Sequence, residues 1–183
     1  MIKKGETLVV QTRSNYVLAA QLYDDCGAEK IESFRHLTSE PICYLLMHPQ
    51  QIKIIAQEIK PTYYLWITKG YKPVYLILNA NESHRQLTGE KIIFMRFVHF
   101  DMIKQLTPYG ILKTIVLPQI PSSSIEDELQ SLYHNYQHIT QTIIASDEIK
   151  PTHEKMSIID FTQGEPKVIQ QGDAKIENWP WIK

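Results

Sequence analysis

Two stretches, ICYLLM at residues 42–47 and TIVL at 114–117, run almost without a polar side chain. A strand sends successive side chains to opposite faces, so a run with no alternation needs both faces covered. That excludes a sheet with one wet face and calls for helices packed on a sheet. Further strands are expected at 7–11, 74–79, 92–97, 111–117 and 142–145. In SIIDFTQGEPKVIQQGD, residues 157–173, Ile158, Ile159 and Phe161 favour strand, Gly164 and Pro166 punctuate, and Val168 and Ile169 resume. This is a hairpin, and its antiparallel pairing makes the sheet a mixed one.

Helical periodicity separates these segments. Pro49 suits a first turn, and Ile52, Ile55, Ala56 and Ile59 form one stripe behind it. Ser123 with Glu126 has capping-box spacing ahead of a helix over 124–139 carrying Ile125, Leu129, Leu132, Tyr136 and Ile139. A third helix over 27–37 presents Ile31 and Phe34. The expected fold is therefore α/β: one open, twisted, mixed sheet with flanking helices, in a single domain over 1–183.

Charge narrows the function classes. The 183 residues carry 19 Lys and Arg against 20 Asp and Glu, a net charge of −1. No global basic field is available to hold nucleic acid, so RNA contact would have to be local. Cys26 and Cys43 are far apart and suggest neither a disulfide framework nor a zinc site, which fits a reducing, cytoplasmic setting. The apolar run near the N-terminus covers only residues 8–10, and neither a secretory signal nor a membrane span is expected from it.

The order of these pieces and the quoted tail resemble the YrdC/TsaC family of threonylcarbamoyl-AMP synthases. LVVQTRSNYVL is similar to the family's entry strand and following loop, and FRHLTSEPICYLL to its lysine-x-arginine segment and next strand. KPVYLIL, FMRF and ILKTIVLPQ stand at its glycine-proline-x-threonine, valine-arginine-x-proline and serine-alanine-asparagine segments. The resemblance implies a large concave face where active members join ATP, threonine and bicarbonate, with magnesium, into an adenylate used for tRNA modification. It also implies association with double-stranded RNA.

Residue by residue, the resemblance puts ligand-binding positions at Thr12, Arg13, Tyr16, Arg35, Arg96, Thr114, Ser157 and Gln170, with no metal ligand and no assigned catalytic residue. Several expected groups are replaced. Arg35 takes a lysine position, but Leu37 stands on an arginine and Glu40 on a later lysine. Ile115, Val116 and Leu117 replace hydrogen-bonding residues, Met156 replaces a serine, and Gln170 replaces a phosphate-facing arginine. Val17 and Ala19 stand where glycines let backbone approach ligand. Arg96 admits two readings, a carboxylate anchor in a small-substrate pocket or a strand-end arginine paired locally.

Three functional readings follow. The leading one is a YrdC-like domain that binds RNA, tRNA or a nucleotide but has lost its adenylation apparatus. The second is a working synthase with a pocket rebuilt around Arg13, Arg35 and Arg96. The third is an interaction module without a small ligand. Elsewhere, His134 and His138 have metal-ligand spacing but read as an exposed polar face. Tyr63, Tyr64, Trp66, Tyr71 and Tyr75, beside Lys60, Lys69 and Lys72, read as core packing before nucleic-acid stacking. The terminal NWPWIK is expected to pack back on the domain.

Overall fold

The computed structural model describes residues 3–68, 74–98, 100–122, 124–140, 142–146 and 150–173. Its strands are β1 (Thr7–Gln11), β2 (Tyr16–Gln21), β3 (Cys43–Leu46), β4 (Val74–Asn79), β5 (Ile92–Phe97), β6 (Leu112–Val116), β7 (Ile143–Ile144), β8 (Ser157–Asp160) and β9 (Lys167–Gln170). They form one sheet in the order β7-β1-β2-β6-β3-β5-β4-β8-β9. Parallel pairs (β1·β7, β3·β5, β4·β8) interleave with antiparallel ones, so the sheet is mixed. The helices are α1 (Asp25–Ser33), α2 (Ile52–Ile55), α3 (Pro61–Thr68), α4 (Glu82–Thr88), α5 (Phe100–Leu106) and α6 (Ile125–Tyr136). β3, with all four residues buried, sits between β6 and β5, as its unbroken apolar run requires.

Three departures from the sequence reading have physical causes. The loop expected after β1 is a tight turn, and YVLAAQ is the buried strand β2. Thr12 closes that turn: its Oγ1 donates toward the Asn15 carbonyl and Oδ1, both at 2.8 Å, and accepts from the Asn15 N–H at 3.1 Å. The helix expected over 49–59 stops at Ile55, because Ala56 bridges Ala80 and the Gln57 N–H donates to the Asn79 carbonyl. Edge pairing takes the backbone that Ile59 would need, and Pro61 opens α3 instead. Finally, Ser124 rather than Ser123 caps α6, its hydroxyl accepting the Asp127 N–H; Ser123 lies outside the described residues. The helices α4 and α5 carry no apolar stripe long enough to be read from sequence.

Tyr63 and Trp66 of α3 are buried in the core with Phe161, in line with the packing reading of the aromatic run. Lys69, Tyr71, Lys72 and the NWPWIK tail lie outside the described residues. The hairpin β8–β9 is antiparallel, with Gly164 at φ 85° in its turn. Glu165 of that turn binds Lys60 at 2.7 Å and accepts a hydrogen bond from the Tyr63 hydroxyl, tying hairpin to α3. Gly172 is forced by space. A Cβ there would stand 2.1 Å from the Lys155 carbonyl oxygen and 2.7 Å from the Ser157 nitrogen, both backbone atoms.

Candidate ligand pocket and adjoining cleft

Register decides which side chains share a face. Cys43 pairs with Thr114 and Leu45 with Arg96, so Cys43, Thr114 and Arg96 project on one side of the sheet. Ile77 pairs with Phe94, which puts Tyr75 on that side, and Tyr75 pairs with Ile158, itself paired with Gln170. At the centre, Arg96 is only 2% exposed. Its guanidinium lies 5.3 Å from the Tyr75 ring centroid, and it donates to Asn15 Oδ1 at 3.1 Å and to Ser14 Oγ at 3.5 Å. Thr12 reaches the same Asn15 oxygen. Met156 packs against Cys43 and Tyr75. Thr114 donates to the Cys43 carbonyl at 2.8 Å.

Burial raises the Cys43 thiol above its ordinary range, partly opposed by the charge of Arg96. Burial likewise raises the Tyr75 phenol, again against Arg96. Both therefore stay neutral beside Arg96, the one buried Lys or Arg among the described residues. An anion could pair with Arg96 only where Asn15 and Ser14 yielded their contacts.

Beside it lies an open cleft of about 540 Å³ lined by Glu32, Arg35, Glu40, Glu90, Phe94 and Lys113. Two cations face three carboxylates there. Arg35 is bound to Glu32 at 3.0 Å, and Lys113 to Glu90 at 3.0 Å. Glu90 also accepts from the Tyr44 hydroxyl at 2.9 Å and lies 3.6 Å from Nε2 of the buried His84. Burial tends to raise the Glu90 carboxyl, but His84, Lys113 and Tyr44 outweigh it and hold it at about 2. A triphosphate needs unspent positive charge and donors. This cleft offers a surplus of negative charge.

The remaining predicted positions scatter. Tyr16 projects to the opposite face, toward Glu128 of α6, and burial with that carboxylate pushes its phenol up to about 12. Arg13 is exposed on the β1–β2 turn, with its carbonyl accepting the Thr152 N–H at 2.8 Å. Ser157 accepts the Gly172 N–H at 2.8 Å, and Gln170 donates to the Met156 carbonyl at 3.5 Å, so both serve the hairpin base. Ile115 and Leu117 point into the core under α6. Leu37 is 46% exposed and plugs nothing. Thr12, Arg96 and Thr114 are thus brought together; Arg35 joins the neighbouring cleft; Arg13, Tyr16, Ser157 and Gln170 play other parts. Ser14, Asn15, Cys43 and Tyr75 escaped the sequence reading, since alternate positions of an apolar strand do not announce a shared pocket.

A family model for Sua5/YciO/YrdC, described as telomere recombination, matches residues 1–172. The chain belongs to the Sua5/YciO/YrdC family. Its fold is that of E. coli YciO, with TM-score 0.73 and 18% identity over 96% of this chain and 87% of that one. It is similar to P. abyssi Sua5 complexed with L-threonine, with TM-score 0.72 and 18% identity over 93% of this chain. The match spans about half of that longer protein, 52%. MTH1692 from Methanobacterium thermoautotrophicum follows, with TM-score 0.69 and 13% identity over 96% of this chain and 85% of that one. Among curated protein sequences no match was found.

The family is linked in general to threonylcarbamoyladenosine formation in tRNA. Among the described residues no cluster of three His, Cys, Asp or Glu side chains is placed to hold a metal. His134 and His138 are both exposed, and His138 lies beyond the end of α6. No described helix is long and apolar enough to cross a membrane.

Proposed function

We propose that this chain is a Sua5/YciO/YrdC domain that binds a small carboxylate ligand at Arg96 without adenylating it. The observation that carries this reading is the charge of the cleft, where both cations are already paired and carboxylates outnumber them three to two. Each charge-assisted phosphate contact is worth about 1.5–3 kcal/mol, so losing several removes useful ATP affinity. Arg96, in contrast, is a buried guanidinium that donates to Asn15 and Ser14 under the Tyr75 ring, with the Glu40 carboxylate reaching Tyr75 from the cleft side. The likeness to a Sua5 complexed with L-threonine makes threonine the first ligand to try.

This reading narrows the sequence expectation. A nucleotide with magnesium is disfavoured in the cleft, and RNA or tRNA would have to use another surface. The rebuilt synthase loses two of its three arginines, since Arg35 is neutralised and Arg13 sits on an exposed turn. Thermal-shift titration tests the proposal, because a ligand that binds only the native form raises the midpoint. L-threonine should raise it in the native chain and not in Arg96→Met, while MgATP should leave both unmoved. A midpoint raised by MgATP and not by L-threonine would reverse the assignment.

A further inference from the structure

Residues 150–156 run into β8 with no regular secondary structure of their own. Their two ends are fastened by different chemistry. At the β8 end the fastening is backbone: the Asp173 N–H donates to the Lys155 carbonyl at 3.0 Å, and Gly172 lies so close that it admits no side chain. At the other end side chains hold it, and Lys150 Nζ donates to the Ser122 carbonyl at 3.1 Å. Lys150 Nζ lies 3.8 Å and His153 Nε2 3.6 Å from the carboxylate of Glu128 on α6.

Glu128 is fully buried, and neither carboxylate oxygen has a hydrogen-bond partner among the described residues. The Tyr16 hydroxyl beside it, also buried, has none. A buried carboxylate whose ion-pair neighbours among the described residues are Lys150 and the His153 ring is costly to leave alone once they move away. His153 also carries a left-handed backbone, φ 54°, which a non-glycine residue adopts under strain. Between the two fastenings the segment holds the pocket shut. Thr152 donates to the carbonyl of Arg13, in the turn whose Ser14 and Asn15 occupy Arg96, and Met156 covers Cys43 and Tyr75.

We propose that residues 150–156 form a gate over the Arg96 pocket, hinged at 155–157 and latched by Lys150 and His153 on the buried Glu128. Opening frees the β1–β2 turn from Thr152 and turns Met156 off the pocket. Its purpose rests on reading the Arg96 pocket as a ligand site; its existence does not.

Cys43 reports the opening, being buried under Met156 while Cys26 is exposed. In a Cys26→Ser background, Cys43 alkylation by N-ethylmaleimide is timed for the native latch, for Glu128→Gln, and for Lys150→Met with His153→Gln. The double change touches only partly exposed side chains and guards against a Glu128 variant that fails to fold. The gate predicts labelling faster by about ten-fold or more in the altered chains, with amide exchange in β3 and β5 unchanged. Unchanged labelling in the double variant overturns it, as does faster labelling matched by faster exchange throughout the sheet. L-threonine thermal shifts on the same samples keep the two readings apart. Threonine binding with an unreleased thiol sinks the gate alone, and a released thiol without threonine binding sinks the pocket reading alone.

Discussion

The Arg96 pocket and the Arg35 cleft adjoin each other yet treat charge in opposite ways. Arg96 is buried, and its neighbours Ser14, Asn15 and the Tyr75 ring are arranged around it. Arg35 is two-thirds exposed and bound to a carboxylate one helical turn away. A buried cation constrains everything that touches it, because removing any partner leaves a polar group stranded. An exposed one can be neutralised at almost no cost. Arg96 therefore stands as a buried, hydrogen-bonded cation, while the cleft sets three carboxylates against two cations.

The largest effect that would sharpen this contrast lies at the pocket's cover. Gly172→Ala would drive a Cβ into the Lys155 carbonyl, and urea unfolding should show a loss on the order of 4 kcal/mol. Gly89→Ala, with nothing within 4 Å but φ 76°, should lose only about 1 kcal/mol. Equal losses at the two positions would mean that the hairpin does not press on the cover.

Next in size, Arg96→Met should cost about 3 kcal/mol in the same measurement, since it removes the bonds to Asn15 and Ser14 and the stacking on Tyr75 from a buried site. A neutral result would put Arg96 on the same footing as Arg35 and erase the distinction. Glu90 gives the cleft's own pH signature. Its folded value of about 2 lies below the ordinary 4.5, so its contribution is whole above pH 4.5 and lost as the pH falls toward 2. Acid unfolding should show a loss of about 2 kcal/mol across that window, absent in Glu90→Gln. The smallest effect belongs to Arg35→Ala, within about 0.5 kcal/mol, because its ion pair with Glu32 is exposed.

The fold was legible where period and punctuation coincide. Residues 42–47 read as a strand covered on both faces, and the tail read as a hairpin from Gly164 and its flanking apolar runs. It was illegible where tertiary pairing overrode local pattern: Ala56 left its helix to meet Ala80, and Tyr16 belonged to a strand because Thr12 and Asn15 close a turn. The site was half legible. Glu40, where the resemblance expects a lysine, adds a carboxylate to the cleft, whereas Leu37 stands exposed and is not among its lining residues. The role of Asn15, one residue inside a four-residue turn, and the pairing of Lys113 with Glu90 depend on register and distance that no spacing encodes.

Pyrophosphate release by the purified protein, given ATP, magnesium, L-threonine and bicarbonate, bears most directly on the proposal that the cleft does not grip a triphosphate. No release above the protein-free rate is expected, even with every substrate at saturating concentration. Sustained turnover that disappears in Arg35→Ala would contradict the account, for it would require the paired cations of the cleft to serve the phosphates after all.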